Sequence, residues 1–182
     1  AARQLSERRL ADVQRAEGVG LHGGRPVVPV GLVVVVGVVE AESRPALRDF
    51  NKLILPAIEG TPFRHVMLID GNDSRGIDVG LLCRKGYPIT SMRSHVDDET
   101  PNGEGLFSRD CPEYGIETPN GKRLVILVNH FKSKGFGSQA QSSARRKIQA
   151  QRVAQICRGL SDDGERFFAV VGDLNDTPDS DP

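Results

Sequence analysis

The stretch Arg123-Leu-Val-Ile-Leu-Val-Asn-His130 is a run of apolar residues that ends in two polar ones. It follows Asn120-Gly121, a dipeptide that favours a tight turn, and its branched side chains favour a β-strand. We therefore predict a buried strand that ends at His130. A basic loop rich in glycine and serine, residues 132–138, follows it.

Downstream of this strand, the sequence predicts a helix and another strand. Between Ser142 and Leu160, apolar residues recur at helical spacing, while the polar face is rich in arginine and lysine. The run Arg166-Phe-Phe-Ala-Val-Val171 then predicts a strand, which leads into Gly172-Asp-Leu-Asn-Asp-Thr-Pro178.

Upstream of the strand that ends at His130, strand-like and helix-like patterns of apolar residues also alternate. The valine-rich run from Leu32 to Val39 is typical of a strand buried on both faces. Helical spacing begins at Arg44 and stops near Pro56, with four apolar residues on one face: Leu47, Phe50, Leu53 and Ile54. Further strands are predicted at residues 65–69, 76–83 and 89–96, before a polar loop at 97–105. Strands with helices at intervals indicate an α/β fold in which helices cover the faces of sheets.

The composition allows one domain and excludes several classes of protein. The 182 residues carry 24 Lys plus Arg and 24 Asp plus Glu, so phosphate binding must rely on locally placed charge. The apolar run Val27–Val39 is shorter than the roughly 20 residues of a transmembrane helix. No secretory signal is recognisable, which leaves the compartment open. The three widely spaced cysteines predict free thiols rather than a metal knuckle or a disulfide framework.

The strongest local candidate for chemistry is Val170-Val-Gly-Asp-Leu-Asn-Asp176. Asp173 and Asn175, two residues apart after a buried strand, point the same way. Asp173 could accept a proton from an attacking water, and Asn175 could hold either that carboxylate or a phosphate. An Asx turn that merely closes the strand accounts for the same residues equally well.

A second candidate is the exit of the strand at His130. This histidine stands beside Asn129 and is followed by Lys132 and Lys134, a combination that suits a phosphate. Protonated, it could stabilise a charged transition state or protonate a leaving oxygen. Considered alone, however, a histidine at a strand end is more often half-exposed and structural.

Two acidic positions complete the set. Glu40 leaves the end of an apolar strand, where an oxygen ligand to a hard divalent cation is often found, although Glu40 and Glu42 could simply begin the next helix. Asp78 lies inside an apolar strand and therefore needs a partner. Arg75 could be that partner, or it could hold a phosphate. The acidic, asparagine, histidine and arginine residues of these motifs recur at the exits of apolar strands, and such exits could converge at one edge of the sheets.

In order along the chain, these motifs resemble the endonuclease/exonuclease/phosphatase superfamily. The resemblance covers residues 33–182 and rests on the acid after a buried strand and on four segments: Arg75-Gly-Ile-Asp-Val-Gly-Leu-Leu82, Asn129-His-Phe131, Arg145-Arg-Lys-Ile-Gln149 and Gly172-Asp-Leu-Asn175. The first of these, with Arg93-Ser-His-Val96, looks most like bacterial members described as endonucleases. The resemblance implies a four-layered α/β sandwich, with two packed mixed β-sheets flanked by helices.

The resemblance also implies roles for particular residues. Glu40 matches the metal-binding glutamate, and Mg²⁺, or Mn²⁺ or Ca²⁺ in its place, would be the cofactor. By the same match, His130, Asp173 and Asn175 would be the catalytic residues, and Asn129 would bind the phosphate. Arg75 and Lys132, whose roles are not part of this match, are expected to bind substrate because they are cations next to these motifs. Arg146 and Gln149 match the family's helix and are expected to support the site.

Two parts of the family pattern are missing. A first strand ending in asparagine is not found in residues 1–31, and the 182 residues end at Asp181-Pro182 without the closing Ser-Asp-His segment. We therefore expect an incomplete domain at residues 32–182, truncated at both ends, after an N-terminal segment, 1–31, of unassigned structure. An unpaired sheet edge could then cause self-association. No stable protein partner is predicted.

The function that follows is metal-dependent hydrolysis of phosphodiesters by in-line attack of water, with nucleic acid as the substrate. A lipid or inositol phosphate hydrolase is an alternative, because the fold does not fix the leaving group. An inactive fragment that only binds a phosphate-bearing partner is another. A basic patch favours a polyanion, although it could equally be a solvated surface: Lys132, Lys134, Arg145, Arg146 and Lys147.

Overall fold

A computed structural model describes residues 21–22, 25–26, 33–135 and 137–177. A short antiparallel hairpin, β1 (Leu21–His22) and β2 (Arg25–Pro26), belongs to a first unit that ends at Val33. The rest of the predicted N-terminal segment lies outside the described residues. The elements from β3 onward belong to a second unit that starts at Val34.

The first sheet of this unit is antiparallel and has its most buried strand in the middle. It contains β3 (Val35–Ala41), β4 (His65–Ile69) and β5 (Asp78–Cys83) in the order β3-β5-β4. Every residue of β5 is buried. Because Asp78 opens this strand, its carboxylate is held among apolar neighbours and must be satisfied by a hydrogen bond.

The helix after β3 changes its winding halfway. It begins as α1 (Arg44–Asp49), where the Ser43 hydroxyl accepts a hydrogen bond from the Ala46 N–H, continues as a π-helical segment (Phe50–Ile54), and ends as α2 (Leu55–Ala57). Leu47 is buried, but Phe50, Leu53 and Ile54 are largely exposed, so the predicted four-residue apolar face is wrong. A π-helical turn contains more residues than an α-helical one and rotates the later side chains away from the sheet.

The second sheet is mixed. Its order is β6 (Ile89–Arg93), β7 (Glu113–Glu117), β8 (Arg123–His130) and β9 (Phe168–Asp173), and only β8 and β9 are parallel. The connection between these two strands is α3 (Gln139–Asp162), which starts with a capping box between Ser138 and Gln141. The parallel pair brings the carboxyl ends of β8 and β9 to the same end of the sheet.

Three apolar clusters join these elements into four layers. The two sheets pack face to face through Val79 and Leu81 of β5 against Ile126 and Val128 of β8, among others. On the outer side of the first sheet, Leu47 packs on Leu68 and Leu82. On the outer side of the second, α3 contributes Val153, Ile156 and Leu160 against Val125 and Leu127. The order helix, sheet, sheet, helix confirms the predicted four-layered α/β sandwich.

The alternation of side chains decides which polar residues can meet. Along β8, Val125 and Leu127 face α3, whereas Ile126 and Val128 face the other sheet. His130 continues the second set, and its neighbour in the parallel register is Asp173, which follows Val171 on the same face of β9. His130 and Asp173 therefore lie side by side at the end of the space between the sheets.

Gly172 permits the close approach of β9 to β8 at this end. Its φ is +119°, and a Cβ built on it would lie 2.0 Å from the carbonyl oxygen of Asn129. No other residue type fits a position that combines this φ with such a contact. The glycine of the Gly-Asp-Leu-Asn segment therefore fixes the spacing of the two strands that carry His130 and Asp173.

Each sheet has two outer strands, and β9 is one of them. Val170 of β9 is 37% exposed, and among the described residues the backbone of this strand pairs only with β8. Self-association through a sheet edge stays a prediction. In the described part of the chain, no helix has the length and apolar character needed to cross a membrane.

Candidate active site

His130, Asp173 and Glu40 converge from three strands in the two sheets. The His130 side chain is buried, and its Nε2 lies 3.9 Å from Oε1 of Glu40 on β3. The Asp173 carboxylate is beside His130, because the two residues are register partners, and the Phe131 N–H donates to the Asp173 carbonyl at 2.9 Å. The structure thus brings together the predicted metal ligand and two predicted catalytic residues, and the third, Asn175, is hydrogen-bonded to Asp173.

Glu40 occupies an unusual backbone conformation. The pairing of β3 with β5 shifts its register between Val38 and Ala41, and at this bulge Glu40 has a φ of +58°. Non-glycine residues are strained in this region, and such strain is often found at functional sites. The bulge presents a carboxylate that is 64% exposed, so Glu40 can interact with a ligand from solvent.

Asn175 holds Asp173 and the end of β8 in place. It also has a positive φ, +52°, and its backbone N–H donates to Asp173 Oδ1 at 2.8 Å. Its side-chain amide donates to the carbonyl oxygen of Phe131 at 3.0 Å. Of the two roles that the sequence left open for Asn175, these contacts favour positioning of the carboxylate.

Two arginines, Arg75 and Arg109, donate hydrogen bonds to the carboxylate of Asp73 next to this site. Arg75 donates to Asp73 Oδ1 through Nε (3.0 Å) and to Oδ2 through Nη2 (2.8 Å), and Arg109 Nη1 also reaches Oδ2 at 3.2 Å. Hydrogen bonding from Arg75, then the charges of Arg75 and Arg109, hold the pKa of Asp73 well below its usual range despite partial burial. The carboxylate therefore stays ionised at physiological pH.

Arg109 is a site residue that the sequence reasoning missed. It is 4% exposed, and its Nη2 donates to the Phe131 carbonyl oxygen at 2.7 Å, the same oxygen that accepts from Asn175. The signal was present in Phe107-Ser-Arg-Asp-Cys111, where two charged residues interrupt an apolar segment. Nothing in the local pattern, however, shows which strand end Arg109 would reach.

The Arg93-Ser-His-Val96 motif supports the loop that carries Arg109. Asp110 accepts from the Ser94 hydroxyl at 2.7 Å and from the His95 N–H at 2.8 Å. The imidazole of His95 is buried between carboxylates, with Nε2 2.7 Å from Glu113 and Nδ1 3.1 Å from Asp98. This network fixes the backbone next to Arg109 and so indirectly fixes the arginine.

The interpretation in which Arg75 pairs with Asp78 is wrong. Arg75 is bound to Asp73, and the Asp78 carboxylate instead accepts from the Gly71 N–H at 2.7 Å. Burial raises the pKa of Asp78, as do the nearby charges of Asp70 and Asp73, while the Gly71 hydrogen bond lowers it. By alternation from Val79, Asp78 faces the α1 side of its sheet rather than the site.

The remaining predicted residues lie around the loop after β8. Arg146 donates to the Lys132 carbonyl at 3.3 Å, and Gln149 accepts from the Lys132 N–H at 2.9 Å, so both support this loop as expected. Asn129 is 1% exposed and shares the α3-facing side of β8 with Leu127, to whose carbonyl it donates at 3.3 Å. The structure does not bring Asn129 together with His130 and Asp173, and its role in substrate binding stays a prediction.

The basic patch is largely balanced by acidic groups. Lys134 lies 2.7 Å from Asp176, which also accepts from Arg146 at 3.1 Å, and Arg145 lies 3.7 Å from Glu104. These pairs favour the alternative of a solvated helix surface. Lys132 differs, because it lines a cavity together with Arg75 and Arg109.

The oxygen ligands at the site fit a divalent cation only if waters and the substrate supply most of its coordination. Among the described residues, no group of three or more His, Cys, Asp or Glu side chains is placed to hold a metal ion. Glu40 offers one accessible carboxylate beside the space where a substrate would sit. Mg²⁺ is commonly bound by one or two carboxylates, waters and substrate phosphates, and Glu40 is suited to that kind of site.

We expect His130 to be neutral at neutral pH. Burial and the charge of Arg109 lower its pKa from the usual 6.5, while Asp173 and Glu40 oppose this effect. Above pH 6.5 both folded and unfolded chains hold a neutral His130, and as pH falls below it the unfolded chain binds a proton first, so His130 reduces stability in acid. NMR titration of the imidazole should give a midpoint below 6.5, and Asp173→Asn should lower it further. A midpoint above 6.5 would contradict the prediction that burial and Arg109 lower the pKa of His130.

The chain is similar to a known protein family in sequence and to several solved structures in fold. Residues 29–182 match the Endonuclease/Exonuclease/phosphatase family. Among solved structures, TDP2 from C. elegans aligns with a TM-score of 0.54 and 13% identity, over 79% of this chain and 38% of that one. The selenomethionine form of TDP2 from Caenorhabditis elegans gives 0.53 and 13%, over 79% and 38%.

A truncated Caenorhabditis elegans TDP2 gives a TM-score of 0.52 and 12% identity, over 79% of this chain and 50% of that one. At these identities the likeness shows the fold alone. The chain spans half or less of the length of these proteins. No curated protein sequence gives a significant match.

Proposed function

The chain belongs to the Endonuclease/Exonuclease/phosphatase family, and from that premise we propose that it hydrolyses phosphodiester bonds. The observation that supports this most directly is the convergence of three groups: His130 and Asp173 adjacent on parallel strands, with Glu40 facing them from the other sheet. The arrangement has an accessible base, a buried imidazole and a hard oxygen ligand, which together suit water attack on a phosphate.

In the proposed reaction, the oxygen of a water molecule attacks phosphorus and the bond to the leaving oxygen breaks. The leaving oxygen keeps the electron pair of that bond and takes a proton from solvent water. Asp173 accepts the proton of the water, and the Asn175 N–H holds its carboxylate in position. Neutral His130 donates a hydrogen bond from Nε2 to the phosphate as negative charge develops on its oxygens. Bound Mg²⁺, or Mn²⁺ or Ca²⁺, would be held by Glu40 and would polarise a phosphoryl oxygen.

We propose nucleic acid as the substrate, because three cationic side chains lie near one side of the site. Arg75 and Arg109 both lie close enough for their charges to act on His130, and Lys132 follows it by two residues. Asn129 is buried, no step of this reaction uses it, and its role in substrate binding stays a prediction. A lipid or inositol phosphate hydrolase and an inactive phosphate-binding fragment remain the competing functions.

The test is nicking of supercoiled plasmid by the purified chain. We expect conversion to the open-circular form with Mg²⁺ or Mn²⁺ and none when EDTA is added. Release of phosphate from an inositol polyphosphate, without nicking, would favour the first competing function. Folded protein that neither nicks DNA nor releases phosphate would favour the second.

A further inference from the structure

A polar cavity opens beside the proposed active site. Its volume is about 290 Å³, and it lies between the loop that contains Asp73 and Arg75, the segment at Arg109 and the loop that begins at Lys132. One serine from each of the three segments also lines it. His130, Asp173 and Glu40 do not line this cavity, so it is separate from the place where the reacting phosphate would sit.

The charges in the cavity favour an anion. Three cationic side chains, Arg75, Arg109 and Lys132, line it together with one carboxylate, Asp73, so the local charge is positive. Arg109 is buried, and its Nε has no hydrogen-bond partner among the described residues. A buried donor without a partner costs free energy, which an anionic oxygen in the cavity would recover.

The cavity and the catalytic residues share one backbone group. The Phe131 carbonyl oxygen accepts from Arg109 at 2.7 Å and from Asn175 at 3.0 Å. Arg109 lines the cavity, whereas Asn175 holds the catalytic carboxylate Asp173. A ligand that reaches both places therefore needs two anionic groups close together.

We propose that this cavity binds a second phosphate, the one next to the scissile phosphodiester in a polynucleotide strand. The inference rests on the proposed function and makes it more specific. Because a single strand carries phosphates at regular, short intervals, the proposal places one phosphate at Arg75 and Lys132 and its neighbour at His130. A substrate with only one phosphate would leave the cavity without its anion.

The test measures binding in EDTA, so that it does not depend on hydrolysis. Dissociation constants are measured for the thymidine dinucleotide and trinucleotide, which contain one and two phosphodiesters. We expect the second phosphate to increase affinity about tenfold, as expected for new charge-assisted hydrogen bonds. The salt dependence, plotted as log K against log salt, should steepen by about 0.7.

Two variants and one control assign the gain to the cavity. Arg75→Ala and Lys132→Ala should each remove most of the gain and of the added salt dependence. Lys85→Ala, an exposed lysine in the turn after β5 and so at the other end of that strand, should leave both unchanged. The same gain in Arg75→Ala and Lys132→Ala as in the unmodified chain would overturn the proposal.

An inositol bisphosphate with neighbouring phosphates serves as a second probe. If it binds more tightly than the trinucleotide and depends equally on Arg75 and Lys132, the polynucleotide assignment is overturned in favour of a ring substrate. Binding in EDTA is measured without turnover. A chain that fails to nick plasmid can therefore still show the affinity gain of the trinucleotide and its loss in Arg75→Ala and Lys132→Ala. The two proposals can therefore fail independently.

Discussion

Replacement of Asp173 by asparagine should lower the rate of phosphodiester hydrolysis by a factor of about 10²–10⁴, the usual contribution of a positioned general base. The substitution removes the group that accepts the proton of the attacking water. It keeps an oxygen that can accept the Asn175 N–H, now 2.8 Å from Asp173 Oδ1, so the turn should persist. Initial rates of plasmid nicking with Mg²⁺ measure the effect.

The control for this prediction is Asp162→Asn at the end of α3, which removes the same charge from an exposed position. It should nick plasmid at the unmodified rate. Urea denaturation of both variants excludes loss of fold as the cause. Undiminished activity in folded Asp173→Asn would mean that another group activates the water, and the mechanism above would be wrong.

Replacement of Arg109 by alanine should reduce the free energy of unfolding by about 1–3 kcal/mol, the usual cost of removing the partner of a buried polar group, because Asp73 keeps its two hydrogen bonds to Arg75. The Arg109 and Asp73 side chains are only 5% and 7% exposed. Without the arginine, the Asp73 carboxylate loses its buried counter-charge, and the Phe131 carbonyl loses a donor. Urea denaturation measures the change directly.

Arg75→Ala is the matched comparison, because Arg75 binds the same carboxylate from a position that is 53% exposed. Arg75 is the larger cause of the low pKa of Asp73. Water can nevertheless replace an exposed guanidinium, so its removal should cost much less than that of Arg109. An equal or greater loss of stability in Arg75→Ala would show that the buried pair is not the main support of this loop.

The sequence predicted those parts of the fold and site that depend on local pattern. The apolar runs that end at His130 and Asp173 are strands at nearly the predicted positions, because a buried strand needs consecutive branched side chains. The placement of polar residues at strand exits was predicted for the same reason. The place of Glu40 at the end of an apolar strand identified it as a candidate. The sequence did not predict the bulge at this residue or its positive φ.

The features that were missed depend on contacts between distant segments. β7 (Glu113–Glu117) has a glycine in its centre and glutamates at both ends, and it is a strand because β6 and β8 pair with it on either side. The backbone next to Arg109 is held by hydrogen bonds from Ser94 and His95 to Asp110, which come from a distant segment. The burial of Asn129 follows from its face on β8, which requires knowing where α3 packs.

The backbone at Glu40 has a consequence for protein engineering. A search for stabilising substitutions would identify this residue, because its φ of +58° is costly for glutamate and free of strain for glycine. Accepting glycine there would increase resistance to heat while removing the only carboxylate that β3 presents to His130. At this bulge, stability favours glycine, whereas the proposed activity requires glutamate. Directed evolution that selects for stability alone would therefore remove the carboxylate on which the proposed chemistry depends.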